Sequence, residues 1–217
     1  MVWLRSATRW VVLGLAIGTV AALPAEAQTP RVRADTLRFV VAPDSNQARY
    51  LVREQLAGVD LPNDAVGKTA AVTGKLVLDE KGAVVSSQSS FTIDMSTLTS
   101  DRNMRDNFLR RNTLVTAQFP NAVFTPTEIR GLTLPLPARG EAKLQLVGNL
   151  TVKNVTRPVT WDVVANFANG AISGLAQTKF TFEQFTLTKP RVARVLSVED
   201  DIRLEYQFKL VPAPAGS

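Results

Sequence analysis

The sequence predicts an all-β fold, a sandwich or a barrel, on three observations. Apolar and polar residues alternate with period two through most of the chain, the pattern of strands with one buried and one wet face. Gly and Pro recur between the alternating runs, where chain reversals need them. The longest runs reach about 12 residues, or roughly 40 Å of strand, beyond the five or six usual in sandwiches. Long, tilted strands make a tall barrel, and eight of them can enclose a small ligand.

The first element is not part of that sheet. Arg5 and Arg9, without an acid, precede the apolar run WVVLGLAIGTVAAL (10–23), and Ala25-Glu26-Ala27 follows. A basic start, a short apolar stretch and a small-x-small site describe a secretory signal peptide, with cleavage expected before Gln28. The apolar run is short for a bilayer span. The expected domains are therefore a signal peptide, 1–27, and one β-domain, 28–217, with a bacterial periplasmic or secreted location.

Strands are expected at 36–42, 47–56, 68–79 and 83–94, punctuated by Pro62, Gly67 and Gly82. Next comes the one break in the β pattern, Ser100–Arg111. Its Asp101 near the start and Arg110 and Arg111 near the end suit a helix dipole, and Met104 and Phe108 share a face. A short amphipathic helix near the barrel mouth is predicted. Strands resume at 121–130 and then at 142–152, where Ala142, Leu144, Leu146, Gly148, Leu150 and Val152 alternate with polar neighbours. A turn at Asn154 leads into Val155–Phe167, with Val159, Trp161, Val163 and Ala165 on one face. These two runs read as a long hairpin. The last strands are 172–183 and 202–210, the latter alternating Ile202, Leu204, Tyr206, Phe208 and Leu210 with Arg203, Glu205, Gln207 and Lys209.

Composition narrows function by exclusion. The chain has 217 residues, 45% of them hydrophobic, and a formal charge of +6 spread along its length. That content is too apolar for disorder, and a dispersed excess of charge does not indicate nucleic acid. There is no Cys and no His, which removes thiolate chemistry, disulfides, the commonest metal ligand and the usual general base. Asp200 and Asp201 are adjacent, so a regular strand sends them to opposite faces. No metal site, no catalytic set and no cofactor is expected.

Three segments resemble a known family. Gly148-Asn-Leu-Thr-Val-Lys-Asn-Val-Thr-Arg-Pro-Val159 is similar to the family's hairpin pattern. Phe91-Thr-Ile-Asp94 followed by Ser100–Leu109 resembles its strand–helix passage, and Gln118-Phe-Pro-Asn-Ala-Val-Phe-Thr125 its next strand. In order and spacing these resemble the YceI family of lipocalin-like, polyisoprenoid-binding periplasmic proteins, over most of 36–210. The resemblance implies an extended antiparallel lipocalin-like β-barrel of about eight strands with a short helix near the mouth. It also implies an exported, non-enzymatic protein, linked to transport, storage or stress response, that encapsulates an isoprenoid amphiphile. A polyprenyl phosphate or an isoprenoid quinone would be ligand rather than cofactor. Asn154 departs from the family's usual turn glycine, and the His common in its second strand is absent here.

On that reading the ligand-binding wall would comprise Phe91, Met104, Phe108, Phe119 and Phe124 from the middle of the chain. The hairpin would add Leu144, Leu146, Leu150, Trp161 and Val163, and the last strand Leu204, Tyr206 and Phe208. In any β protein the same side chains could simply be core. Arg105 and Arg110 are the candidates for an anionic headgroup, since guanidinium forks suit phosphate, although Asp101 and Asp106 could balance a solvated helix face. Expected partners are the isoprenoid lipid and, transiently, a membrane or envelope protein. The alternatives are a filled-barrel interaction module of the bacterial envelope and, last, an enzyme acting on a lipid.

Overall fold

The computed structural model describes residues 36–58, 60–190 and 195–214; the predicted signal peptide lies outside them. Eleven strand segments among these residues make one antiparallel sheet. In chain order they are β1 (Leu37–Val41), β2 (Gln47–Leu56), β3 (Asn63–Thr69), β4 (Val72–Leu78), β5 (Ser90–Asp94) and β6 (Thr99–Ser100). After helix α1 (Asn103–Phe108) come β7 (Asn121–Arg130), β8 (Arg139–Val152), β9 (Val155–Ala168), β10 (Ala171–Phe180) and β11 (Val195–Pro212).

Neighbours run β1-β4-β5-β7-β8-β9-β10-β11, and β1 pairs again with β11, so eight strands close into a barrel. The other three segments prolong ring members beyond a bend. β2 follows β1 along the edge of β11, with Phe39 opposite Pro212 and Leu56 opposite Val195. β3 lies beside β2 as β4 lies beside β1, and β6 beside β3. Closure leaves few free sheet edges.

The expected hairpin is the backbone of one wall. β8 and β9 pair without a slip from Arg139 opposite Ala168 to Val152 opposite Val155. Lys153 and Asn154 make the turn with φ of 49° and 64°, the left-handed pair that matches strand twist. Along β9 the residues Trp161, Val163, Ala165 and Phe167 are buried and their neighbours exposed, as alternation predicts.

Other expectations need correction. The 68–79 run is two strands: Thr69 turns inward, its hydroxyl accepting from Ala71 N at 3.0 Å and sharing a 2.6 Å bond with Thr97. Of 83–94, only 90–94 is a full strand. Ahead of it Ser89, buried, accepts from Val77 N at 2.9 Å and donates to Val85 O, which holds a single 3-10 turn at 86–88. The helix is shorter than Ser100–Arg111 and passes into a π turn at 109–113. Gly67 is no breaker. It sits within β3 opposite Tyr50, where a Cβ would come 2.1 Å from the Tyr50 ring. Gly148 likewise makes room for Phe124. Pro126, without an N–H, is tolerated in β7 because the register slips between it and Glu128, as a bulge allows. Asp200 and Asp201 lie in a second slip, between Val198 and Ile202, where Asp200 accepts from Phe182 N at 2.9 Å.

Candidate functional site

The barrel encloses a cavity of about 870 Å³, within the range of small-molecule sites. Burial shows the hollowness independently. Leu144, Leu146, Leu204 and Tyr206 point inward in a closed ring yet are only half-buried, because free space rather than another side chain meets them. A solid core would cover them, as it covers most inward positions.

Every strand of the ring except β1 contributes. Phe91 and Phe124 face the cavity from β5 and β7, and Leu144, Leu146 and Leu150 from β8. Trp161 and Val163 line it from β9; Trp161 meets Phe124 edge-on with ring centroids 5.9 Å apart. Leu204, Tyr206 and Phe208 line it from β11. Phe108 and Met104 come from α1, Met104 standing 83% exposed at the rim. One expected aromatic falls elsewhere: Phe119 lies in the connection before β7, outside the cavity wall. Alternation could not place it, since the residue precedes the strand.

The opening is framed by α1 with its π turn and by Leu187, Pro190 and Val195. What fixes α1 there is a buried ion pair. Arg105 Nη2 lies 2.6 Å from Glu54 Oε1, with side chains 12% and 7% exposed, and Arg105 also pairs with Asp101. Burial opposes the charge of Arg105, but the two carboxylates outweigh it and hold its pKa above the ordinary guanidinium value. For Asp101 desolvation pushes the pKa up, but the hydrogen bond and charge of the same guanidinium together outweigh it and lower the pKa. Asp106, buried, does not neutralise an arginine. It accepts from Ser100 N at 3.0 Å and from the Ser100 hydroxyl at 2.6 Å, tying helix to β6.

The two arginines of the expected headgroup pair differ in placement. Arg105 borders the cavity with its charge already matched, and Arg110 turns away, donating to Leu98 O at 2.9 Å. The cations bordering the opening with most solvent access are Arg102 and Arg111. Sequence reading also missed Tyr50 and Glu54, which line the cavity from β2. Their signal was present in the spacing Tyr50, Val52, Glu54, Leu56, one face of one strand, but an acid on that face resembles a solvent position. Among the described residues no cluster of three or more His, Cys, Asp or Glu could hold a metal, and no helix is long and apolar enough to cross a membrane.

Comparison with known proteins agrees with this geometry. The family model for the YceI-like domain matches residues 39–210. No curated protein matches the sequence. A polyisoprenoid-binding domain from Saccharophagus degradans, implicated in plant cell wall breakdown, has TM-score 0.64 at 11% identity, over 82% of this chain and 99% of that one. BcnA of Burkholderia cenocepacia gives 0.58 at 16% identity, over 78% and 98%. The YceI protein of Campylobacter jejuni gives 0.55 at 16%, over 74% and 91%. At such identities the likeness is one of fold.

Proposed function

The chain belongs to the YceI-like domain family, and from that premise we propose that it is an exported carrier that encloses a long isoprenoid-type amphiphile in its barrel. One observation carries the reading: a hollow, closed barrel with an apolar wall and a cavity of about 870 Å³. Burying 400 Å² of tail would contribute roughly 10 kcal/mol at 25 cal/mol/Å². Ordering the chain and losing its free motion offsets a large part, and micromolar or tighter binding remains. The description of the Saccharophagus domain as polyisoprenoid-binding supports the ligand class, and the sequence of 1–27 supports export. Exposed Met104 at the rim suits transient contact with the membrane that supplies the lipid. Absence of His and Cys from the sequence supports a non-enzymatic role. The interaction-module alternative requires a filled interior, and the cavity weighs against it.

The test is mass spectrometry of protein purified from its native envelope without detergent and extracted into organic solvent. A stoichiometric isoprenoid is expected. Leu146→Trp, which places a larger ring into free space, should fold and carry less lipid. An empty wild-type extract, still empty after polyprenyl and quinone lipids are offered, would overturn the proposal.

A further inference from the structure

The connection between β7 and β8 is longer than its task requires. Residues 131–138 join two antiparallel neighbours, which loops of about two to five residues commonly join. Strand registers place this connection at the end of the barrel away from α1. Ala168 lies opposite both Arg139 and Ala171, so the start of β8 shares an end with the β9–β10 turn. At the other end β10 runs out at Phe180 and leads to Phe182 and Leu187, beside the opening. The 79–89 and 169–170 connections share the far end with 131–138 yet lend the cavity no side chain, whereas Leu132 and Leu136 both line it.

The loop is braced in that position. Gly131 enters it with φ of 84°, and a Cβ there would come 3.2 Å from Lys143 O. Leu134 packs over Gly82 of the β4–β5 turn, where a Cβ would lie 3.2 Å from its Cδ1. Burial shows where the tube stops. Leu144, Leu146 and Leu204 are half-buried because free space meets them. Phe167, Ile172 and Leu210 form one row further along β9, β10 and β11, and they are 5%, 8% and 5% exposed. That row is filled, and Leu132 and Leu136 stand beside the last open level.

The two ends also differ in chemistry. Arg102, Asn103, Asn107 and Arg111 line the opening, while Ile129, Leu132, Leu136 and Leu144 line the far end. A polar group carried to the far end would lose water and gain no partner. An amphiphile therefore lies with its polar end at the opening and the tip of its tail at the far end.

We propose that Leu132 and Leu136 form the floor on which the tail ends, and that they set the tail length the barrel prefers. Each added prenyl unit encloses more apolar surface and tightens binding until the tip meets the two leucines. One unit more must fold back or hold the polar end out of the opening. This rests on the carrier reading, which it deepens by giving the tail a fixed limit.

The test uses the full chain and the ladder of prenols from geraniol to octaprenol, one prenyl unit per step. Dissociation constants are measured for wild type, the Leu132→Ala/Leu136→Ala double variant and Leu136→Phe. Wild-type affinity should rise by about tenfold per unit and then level off. The double variant should level off one unit later, binding the first prenol beyond the wild-type limit about threefold to tenfold more tightly. Leu136→Phe should level off one unit earlier. Geraniol, too short to reach the floor from the opening, should bind all three alike and reports that they fold. If the double variant melts too low to assay, Leu136→Phe decides alone. The same limit in the variants as in wild type, or no limit in wild type, would overturn the floor. If no prenol binds wild type, the carrier reading itself fails.

Discussion

Arg105→Met is the perturbation that most directly tests how the opening is held. It removes a cation whose side chain is 12% exposed and leaves Glu54, 7% exposed, without its partner. Breaking a buried pair from one side costs about 3–5 kcal/mol, or two to three and a half powers of ten in the unfolding equilibrium. The Asp101 contact adds little, because that carboxylate is 67% exposed and exposed pairs contribute about 0–1 kcal/mol. Removing both buried charges is a different matter: Glu54→Leu with Arg105→Met should lie within about 1 kcal/mol of wild type, since no orphan charge remains. Urea unfolding of wild type, both single variants and the double variant measures the coupling, expected above about 2 kcal/mol. An Arg105→Met variant within 1 kcal/mol of wild type, or a double variant as unstable as the sum of the singles, would refute the argument. Hydrogen exchange in 103–113 should accelerate in the single variants, because Arg105 is one of the ties that hold α1 to the wall.

Further predictions concern the backbone and the acid limb. Gly174→Ala should lower stability by about 1–3 kcal/mol, because a Cβ there would lie 2.0 Å from Val164 O; thermal unfolding reads the loss. At the β8–β9 turn, Asn154→Gly should be neutral or stabilising, whereas Asn154→Val should cost about 1–2 kcal/mol, since φ is 64°. Equal melting temperatures for the two would contradict the turn assignment. Asp101 has its pKa lowered in the folded state, with Arg105 outweighing desolvation. Its contribution is therefore present above the unfolded carboxyl value and fades as pH falls through the folded one. Asp101→Asn should lower stability slightly at neutral pH and converge on wild type in acid, so that urea unfolding across pH shows a flatter acid limb.

The strands that were legible are those whose alternation is uninterrupted. β7 and β2 fall at the predicted residues, and the β8–β9 hairpin at nearly the predicted ones, because one face meets the lumen along the whole length. Bends were not legible. Val66, Lys68, Ala70 and Val72 give no sign that the strand breaks at 70–71; the break depends on Thr69 finding Thr97, a contact between distant segments. The start of β11 was missed because Glu199-Asp200-Asp201 reads as a loop, while the structure absorbs it as a bulge. Within the site, apolar wall positions followed from period two. Glu54 did not, since its partner Arg105 stands 51 residues away and nothing local joins them. Family resemblance supplied the barrel, but the matched charges of the helix appear only in three dimensions.

The seam between β1 and β11 sets an order of events in time. Phe39 and Pro212 face each other across it, about 170 residues apart along the chain, and a loop of that length is among the costliest to close. Pairings such as β8 with β9 are local and can form while the rest is still being made. The seam cannot zip until the residues up to Pro212 are available, and without them the ring would be an open sheet with two unsatisfied edges. The closed lumen exists only once β11 has paired with β1, so whatever needs an enclosed lumen can enter it only after that pairing.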